Sequence, residues 1–135
     1  MNLLLDTHIL LWAAGQPERL SATMRELLLD STNQPWFSAA SLWEITIKRG
    51  LGRNDFVVDP RQLWRGLLLN GYRELPVNTE HALAVEQLLP LHKDPFDRLL
   101  LAQAACEDMQ LLTMDRALLA YPLDVVALSR NSATP

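Results

Sequence analysis

The sequence NLLLDTHILLWAAG, residues 2–15, joins a short apolar run to a helix-like segment through one acid, Asp6. The run NLLL has the length and composition of a buried strand. The segment THILLWAAG continues as a helix that Gly15 ends, because glycine is common just past helix C-termini. The chain is therefore predicted to begin with a strand–helix unit that carries a carboxylate at the carboxyl end of the strand.

Short apolar runs and helix-like segments alternate along the rest of the chain. Later strands are predicted in PWFSA (35–39), YRELPV (72–77), MQLLTMD (109–115) and LDVVAL (123–128). Helices are predicted between the strands, and their N-caps are Ser21, either Ser38 or Ser41, Asp59, either Asn78 or Thr79, and Asp94. A short helical turn is predicted at 116–121. This alternation is typical of βαβ units. We therefore predict an α/β fold with a mostly parallel sheet covered on both faces.

Length and composition indicate one globular domain. The 135 residues are 49% apolar, which is enough for a sizeable core but too short a chain for two domains. We predict a single domain over residues 1–128 and a frayed polar tail over 129–135. No apolar run reaches the roughly 20 residues needed to span a bilayer, and the N-terminus lacks the basic start of a signal peptide. The single cysteine, Cys106, cannot form an internal disulfide; we expect a cytoplasmic protein that does not associate with membranes.

The formal net charge of −4 bears on possible partners. Nucleic-acid-binding domains usually carry a basic surface, so an acidic chain argues mildly against such a role. The objection weakens if several acids cluster in one pocket, because a bound divalent cation reverses the local charge. The positions of the acids therefore decide whether nucleic acid is a candidate partner.

Four acids are predicted at one edge of the sheet. They are Asp6 after the first strand, Glu44 in the helix after the second, Asp97 in the first turn of a later helix, and Asp115 after LLTM. Ligands of parallel α/β sheets gather beyond the carboxyl ends of the strands. Clustered carboxylates repel one another unless a cation compensates them, and an all-oxygen set suits Mg²⁺ or Mn²⁺. We therefore predict that these four acids form a catalytic metal site.

Each acid also has a local structural explanation. Asp6 and Asp115 could be N-caps of the segments that follow them. Glu44 fits a capping box with Ser41 and a helical i,i+4 ion pair with Lys48. Taken singly, no position decides between the two interpretations, so the metal-site prediction depends on the coincidence of all four.

The segment HKDPFDRLLLAQA, residues 92–104, places two aspartates on either side of Pro95 at the start of an apolar run. Asp94 is well placed to cap the helix, with Pro95 in the first helical position. Asp97 lies one turn in, where the positive end of the helix helps keep a carboxylate ionised. We predict that Asp94 is the cap and Asp97 a metal ligand.

The remaining candidates are weaker. The histidines lack metal-ligand spacing and are expected at the surface or at helix ends: His8, His81 and His92. The tryptophans are expected in the core or in interfaces. A small basic loop follows Glu44 and consists of Lys48, Arg49 and Arg53. This loop is either solvated surface or a set of phosphate-positioning groups beside the acidic site.

Taken together, four stretches of the chain resemble the motifs of the PIN-domain ribonucleases, particularly the VapC-like toxins of bacterial toxin–antitoxin pairs. In chain order these stretches are LLLDTHILLWAA, SAASLWEITIK, HKDPFDRLLLAQA and LLTMD. The resemblance spans nearly the whole chain. The acids that match the site of the family are Asp6, Glu44, Asp97 and Asp115. Asp94 falls on no ligand position of that pattern.

The resemblance implies a three-layer α/β/α sandwich around the parallel sheet. It also implies Mg²⁺-dependent cleavage of RNA, assembly as a homodimer, and inhibition by a small cognate antitoxin. The hypothesis it supports is hydrolysis without a side-chain nucleophile, in which Asp6 and Asp97 anchor the principal metal.

Two other classes of function are open at this point. Aspartyl-phosphate chemistry, as in receiver or haloacid-dehalogenase-like domains, would use Asp6 as nucleophile. A dehalogenase-like site favours a second aspartate two positions later, where this chain has His8, and a receiver needs a lysine at a late strand end, where we find none. The other class is a PIN-like binding module that has lost its metal. The presence of all four acids argues against it.

Overall fold

The computed structural model describes residues 1–88, 94–115, 117–118 and 125–127. Its strands are β1 (Asn2–Leu5), β2 (Gln34–Ser38), β3 (Arg73–Leu75), β4 (Gln110–Thr113) and β5 (Val125–Ala127). Its α-helices are α1 (Thr7–Gly15), α2 (Ala22–Leu29), α3 (Ala39–Gly50), α4 (Pro60–Leu69), α5 (Thr79–Ala84) and α6 (Pro95–Glu107). Short 3-10 helices follow α1 and α5, at Pro17–Arg19 and Val85–Gln87.

The described strands form one parallel sheet in the order β3-β2-β1-β4-β5. The central strand is β1, whose Leu4 pairs with Trp36 of β2 on one side and Leu111 of β4 on the other. The chain builds outward from β1 in one direction with β2 and β3, and in the other with β4 and β5. The junction of β1 and β4 is therefore a topological switch point, where parallel α/β sheets bind their ligands. The predicted parallel α/β sheet is confirmed.

Alternate residues of β1 enter two separate hydrophobic clusters. Leu3 and Leu5 pack with Phe37 of β2 and with core residues of α1 to α4. Leu4 packs on the opposite face with Leu100 of α6 and other residues of a second cluster. Each fully buried leucine contributes roughly 1.5–3 kcal/mol of transfer free energy. The sheet is thus covered on both faces, which confirms the predicted three-layer α/β/α arrangement.

Most helices begin at the residues that the sequence predicts. The side chains that accept a backbone N–H at these helix starts are Ser21, Asp59, Asn78 and Asp94. For α3 the cap is Ser38, whose Oγ accepts the N–H of Ala40 at 3.0 Å. The alternative capping box of Ser41 with Glu44 is wrong, because Ser41 already lies inside the first turn of α3.

His81 lies at a helix end, one of the two places expected for the histidines. It is in the first turn of α5 and is fully buried. Its Nδ1 accepts the backbone N–H of Asn78 at 3.2 Å, and its Nε2 lies 2.9 Å from Oε2 of Glu107. A long-range contact with α6 therefore adds to its local capping role. His8, by contrast, is exposed and lies 3.4 Å from Asp55.

Several predictions fall on other parts of the chain. His92 and the tail at 129–135 lie outside the described residues, as does most of the helical turn predicted at 116–121. The predicted domain range of 1–128 stays a prediction. None of the helices in the described ranges is both long and apolar enough to cross a membrane.

Candidate functional site

All four predicted acids lie on elements that begin or end at the carboxyl edge of the sheet. Asp6 directly follows β1, and Asp115 follows β4 by two residues. Glu44 lies in α3, which leaves the end of β2, and Asp97 lies in the first turn of α6, whose far end leads into β4. Because the strands are parallel, these positions share one edge, beside the switch point between β1 and β4.

Asp6 is buried at the amino end of α1, with 6% of its surface exposed. Its Oδ1 accepts the N–H of Ile9 at 2.9 Å, so its predicted N-cap role is confirmed. Burial raises the pKa of Asp6 from an ordinary 3.8 to about 6, because the charged form loses hydration. Hydrogen bonds from Thr113 and Ile9 and the charge of His8 oppose that rise in pKa, while the charge of Asp97 adds to it. Asp6 and Asp97 therefore interact electrostatically across the site.

The hydroxyl of Thr113, the last residue of β4, connects two of the acids. It hydrogen-bonds to the side chain of Asp6 and accepts the backbone N–H of Asp115 at 3.0 Å. Oδ1 of Asp115 accepts the N–H of Ala117 at 2.9 Å, so Asp115 caps the turn that follows it. The backbone of Asp6 also donates to the carbonyl of Leu112 at 3.0 Å. Asp6, at the end of β1, is therefore bonded to Leu112 and Thr113 of β4, and Asp115 is bonded to the same Thr113.

Glu44 is almost fully buried, and both its carboxylate oxygens are engaged. Oε1 accepts the hydroxyl of Thr7 at 2.6 Å, and Oε2 lies 2.5 Å from the ammonium of Lys48. The hydroxyl of Thr7 also lies 3.1 Å from that of Ser41. The predicted i,i+4 ion pair of Glu44 with Lys48 is therefore confirmed. Because Thr7 directly follows Asp6, this network joins Glu44 to the end of β1.

The two aspartates around Pro95 have different surroundings. Oδ1 of Asp94 accepts the backbone N–H groups of Phe96 at 2.8 Å and of Asp97 at 3.2 Å. Asp94 is therefore the N-cap of α6, as predicted. Asp97 is half-buried and close enough to the site for its charge to act on Asp6. Of Asp94 and Asp97, Asp97 is the one whose charge contributes to the raised pKa of Asp6.

Asp94→Asn is expected to change the free energy of unfolding by less than about 1 kcal/mol, because asparagine caps helices as well as aspartate does. Urea unfolding followed by far-ultraviolet circular dichroism measures this change. A loss of more than about 2 kcal/mol would mean that Asp94 does more than cap the helix.

Aromatic rings border the site and were not singled out from the sequence. The ammonium of Lys48 lies 5.0 Å from the ring centre of Phe56 and 5.9 Å from that of Phe96. Phe96 meets the ring of Trp43 edge-on, with centroids 5.3 Å apart. Trp43 is 60% exposed. The available signal was that Trp43 and Phe96 each directly precede one of the site acids.

A buried hydrogen-bond network holds α3 against α6, the two helices that carry Glu44 and Asp97. Ser38 and Gln103 are both fully buried. The hydroxyl of Ser38 lies 2.6 Å from Oε1 of Gln103, whose Nε2 donates to the carbonyl of Pro76 at 3.3 Å. Nothing in the sequence pattern indicates this network, because its partners are far apart along the chain.

Gln103→Leu is expected to lower the free energy of unfolding by about 1–3 kcal/mol, because it removes the acceptor of the buried Ser38 O–H and the donor to the Pro76 carbonyl. Chemical denaturation of the variant and the wild type measures the difference. Exposed Gln62, changed to leucine, is a suitable comparison and should shift stability by no more than about 0.5 kcal/mol. Equal stabilities for Gln103→Leu and the wild type would contradict this role.

The donor set has the chemistry that Mg²⁺ prefers, although the side chains do not form a ready-made cage. Among the described residues, no group of three or more His, Cys, Asp or Glu side chains is arranged to hold a metal ion. Mg²⁺ does not require such a group, because it keeps several waters and binds through one or two carboxylates. Asp6 is a buried acid whose ionisation is opposed by burial and by Asp97, so a cation between them would stabilise both charges. These two residues fit a divalent cation.

Fold and site together define a class: an α/β/α domain with acids at the carboxyl edge of a parallel sheet. Within it, the chain belongs to the PIN domain family, whose model matches residues 3–122. PIN domains are generally nucleases. This match confirms the resemblance to PIN domains that the sequence motifs indicated. Receiver and dehalogenase-like domains belong to other families. Comparison with curated proteins gave no match.

Several solved structures, one of them a toxin–antitoxin complex, have the same fold. A chain of VapBC2 from Rickettsia felis bound to promoter DNA is 19% identical, with a TM-score of 0.68 over 94% of this chain and 98% of that one. A toxin–antitoxin complex from Klebsiella pneumoniae gives 20% identity and a TM-score of 0.60, covering 93% and 96% of the two chains. FitAcB from Neisseria gonorrhoeae is 22% identical, with a TM-score of 0.62 over 91% of this chain and 95% of that one. At these identities the likeness establishes the fold.

Proposed function

We propose that this protein is a Mg²⁺-dependent ribonuclease, able to use Mn²⁺ in its place, and the toxin of a toxin–antitoxin pair. The observation that carries the proposal is the buried Asp6 at the switch point of a PIN domain, with a pKa of about 6 and the charge of Asp97 acting on it. Burial and the charge of Asp97 oppose the ionisation of Asp6, so a cation bound beside these two carboxylates would be favourable.

The four acids have distinct roles in this proposal. Asp6 and Asp97 anchor the principal metal, Asp115 completes the site directly or through water, and Glu44 completes it without binding the metal directly. When bound, Mg²⁺ would supply an ionised water for in-line attack and neutralise charge on the phosphate and on the leaving oxygen. No side chain of this site acts as a nucleophile.

The chain itself contributes orientation and a favourable field. Asp6 caps the amino end of α1, and Asp97 lies in the first turn of α6. The positive ends of both helix dipoles therefore stabilise negative charge at the same edge of the sheet, whether on a carboxylate or on a phosphate. Thr113 keeps the Asp6 side chain in one orientation by hydrogen bonding to it. The site is thus arranged before substrate binds.

An antitoxin is the proposed protein partner. Support comes from the solved relatives of the same fold, one of which is a toxin–antitoxin complex. The chain also has a groove of about 870 Å³ between α1 and α4 that is open to a partner segment. Residues along its apolar wall include Leu11, Trp12, Val58, Leu63 and Tyr72. An apolar groove of this size is a common place for a partner to bind.

Homodimerisation is proposed on the exposed side of α3. Trp43, Ile47 and Leu51 follow one another at intervals of four residues, so they share one stripe of the helix surface. All three are exposed. Burial of a contiguous exposed apolar stripe against a second copy of the chain is favourable.

A cleavage assay tests the proposed activity. The purified chain is expected to cut single-stranded RNA when Mg²⁺ is present, to stop in EDTA, and to resume when Mg²⁺ is added in excess. A PIN-like binding module without a metal would instead retain RNA without cutting it in any of these conditions, and that outcome would overturn the proposal.

A growth experiment tests the toxin role. Expression of the chain alone should arrest growth, and co-expression of the neighbouring open reading frame should relieve the arrest. Sequencing the RNA ends that accumulate during arrest would then identify the RNA that is cut. If expression of the chain alone caused no growth arrest and no RNA cleavage, that result would contradict the toxin proposal.

A further inference from the structure

Both carboxylate oxygens of Glu44 already have close partners. Thr7 donates to Oε1 at 2.6 Å, and the Lys48 ammonium lies 2.5 Å from Oε2. The side chain of Glu44 is only 4% exposed. A metal that bound Oε2 directly would have to displace a cation that is already there. Glu44 is therefore poorly placed to be a direct metal ligand, although it stands in the second acid motif.

Lys48 is held firmly beside the acids. Its side chain is 20% exposed, and the rings of Phe56 and Phe96 lie 5.0 and 5.9 Å from the ammonium. Phe96 directly precedes Asp97, so Lys48 lies near the start of α6 as well as beside Glu44. These contacts immobilise a side chain that is normally flexible and fully hydrated.

The ammonium of Lys48 keeps capacity for an anionic ligand. An ammonium carries three N–H donors, and among the described residues Lys48 makes one hydrogen bond, to Glu44. An aromatic face attracts the cation but accepts no ordinary hydrogen bond. The remaining donors suit an oxygen anion that enters the cleft, and a phosphate oxygen is the ligand that a point-like ammonium binds well.

The charges of the site indicate why such a contact is needed. Asp6, Glu44, Asp97 and Asp115 carry four formal negative charges at one edge of the sheet. A phosphodiester that approached these acids would be repelled. Lys48 cancels the charge of Glu44 and is the cation closest to it among the described residues. It therefore reduces repulsion where the substrate must bind.

We propose that Lys48 binds a phosphate oxygen of the RNA substrate and that Glu44 positions Lys48 instead of ligating the metal. This inference rests on the proposed ribonuclease function and identifies the residue that contacts its substrate. Lys48 is then a binding residue of the site, and Glu44 is a positioning residue that acts through it.

The double variant Glu44→Gln/Lys48→Met separates the two possible roles of Glu44. Lys48→Met alone would leave a buried carboxylate without its counter-charge, which is strongly unfavourable. The double variant removes both charges and keeps the charge sum of the site. Its Mg²⁺ affinity, measured by calorimetry with the metal alone, is expected to equal that of the wild type. A loss of Mg²⁺ affinity as large as that of Asp97→Asn would show that Glu44 is a metal ligand and would overturn the proposal.

RNA binding by the same variant reports on Lys48. Loss of one charge-assisted contact is expected to raise KM for a mixed-sequence single-stranded RNA by about ten- to a hundredfold. The slope of log affinity against log salt concentration should fall by roughly 0.7, as expected for the loss of one phosphate contact. A purely structural role would not change that slope. An unchanged slope with an unchanged KM would overturn the proposal.

Two further variants serve as controls. Lys48→Arg keeps the charge and is expected to retain most of the RNA affinity and the full salt slope. Arg25→Met removes an equal charge from α2, a helix that carries none of the four acids, and should change neither KM nor the slope. Thermal unfolding verifies that each variant is folded.

The outcomes separate this inference from the function on which it rests. If the wild type cleaves RNA with Mg²⁺ and Asp97→Asn does not, but the double variant binds RNA like the wild type, only the role of Lys48 is wrong. If the wild type neither binds Mg²⁺ nor cleaves RNA, the proposed function fails and the inference fails with it.

Discussion

Asp97→Asn is expected to abolish Mg²⁺-dependent RNA cleavage while the protein remains folded. The change keeps the shape of the side chain but removes a charge that acts directly on Asp6. One unit charge about 4 Å from a cation is worth about 4 kcal/mol at an effective dielectric constant near 20, which corresponds to roughly a thousandfold in rate or affinity. Initial cleavage rates at saturating Mg²⁺, together with calorimetric Mg²⁺ binding, measure both effects.

The matched control for this prediction is Asp94→Asn, three residues earlier in the same helix start. It removes an equal charge near the same helix end but only from a cap. The two variants should therefore unfold at similar denaturant concentrations and differ greatly in activity. If Asp97→Asn cut RNA as fast as the wild type, the assignment of the site would be wrong.

Asp6→Asn is expected to make the metal-free protein more stable and at the same time inactive. Burial raises the pKa of Asp6 to about 6 from an ordinary 3.8. Ionisation of this carboxyl at neutral pH therefore destabilises the fold by up to about 3 kcal/mol. Asparagine has no charge to bury, and its side-chain oxygen can still accept the N–H of Ile9.

The sign of the pH dependence follows from the direction of the shift. Between about pH 4 and pH 6 the folded protein holds a proton on Asp6 that the unfolded chain has released, so stability falls as pH rises through this window. The destabilisation is complete above it. The stability difference between Asp6→Asn and the wild type should accordingly be near zero at about pH 4 and largest at about pH 8.

Urea unfolding of both proteins in EDTA at the two pH values measures this difference. Saturating Mg²⁺ should then stabilise the wild type and leave Asp6→Asn almost unchanged, because only the wild type binds the ion in its folded state. A stability difference that is the same at both pH values would contradict the assigned cause. Stabilisation of both proteins by Mg²⁺ would exclude Asp6 as a principal ligand.

Local sequence features were sufficient for the elements and for most helix starts. The apolar run before Asp6 and the periodic segment after it predict β1 and α1, because hydrophobic spacing and N-cap chemistry act over a few residues. The same reasoning placed Asp94 as the cap of α6 and predicted the ion pair of Glu44 with Lys48, which are four residues apart on one helix. The parallel sheet followed from the alternation of elements.

Local patterns failed where the deciding partner is distant in the chain. His81 was expected at the surface or at a helix end and does lie in the first turn of α5, but its burial and its contact with Glu107 of α6 have no local signal. The capping box of Ser41 with Glu44 was a reasonable local alternative. It is wrong because Ser38 caps the helix and Thr7, from α1, takes Oε1 of Glu44.

The sequence by itself determined the α/β order of elements, the caps and the four acids that the parallel sheet gathers at one edge, because strand direction and helix signals are local properties. Only the tertiary structure decided how those acids differ. Burial and the charge of Asp97 raise the pKa of Asp6 against the hydrogen bond from Thr113, while Glu44 is paired with Lys48, whose ammonium also lies near two aromatic rings. Desolvation and charge–charge contacts depend on which distant segments meet, and no spacing along the chain contains that information.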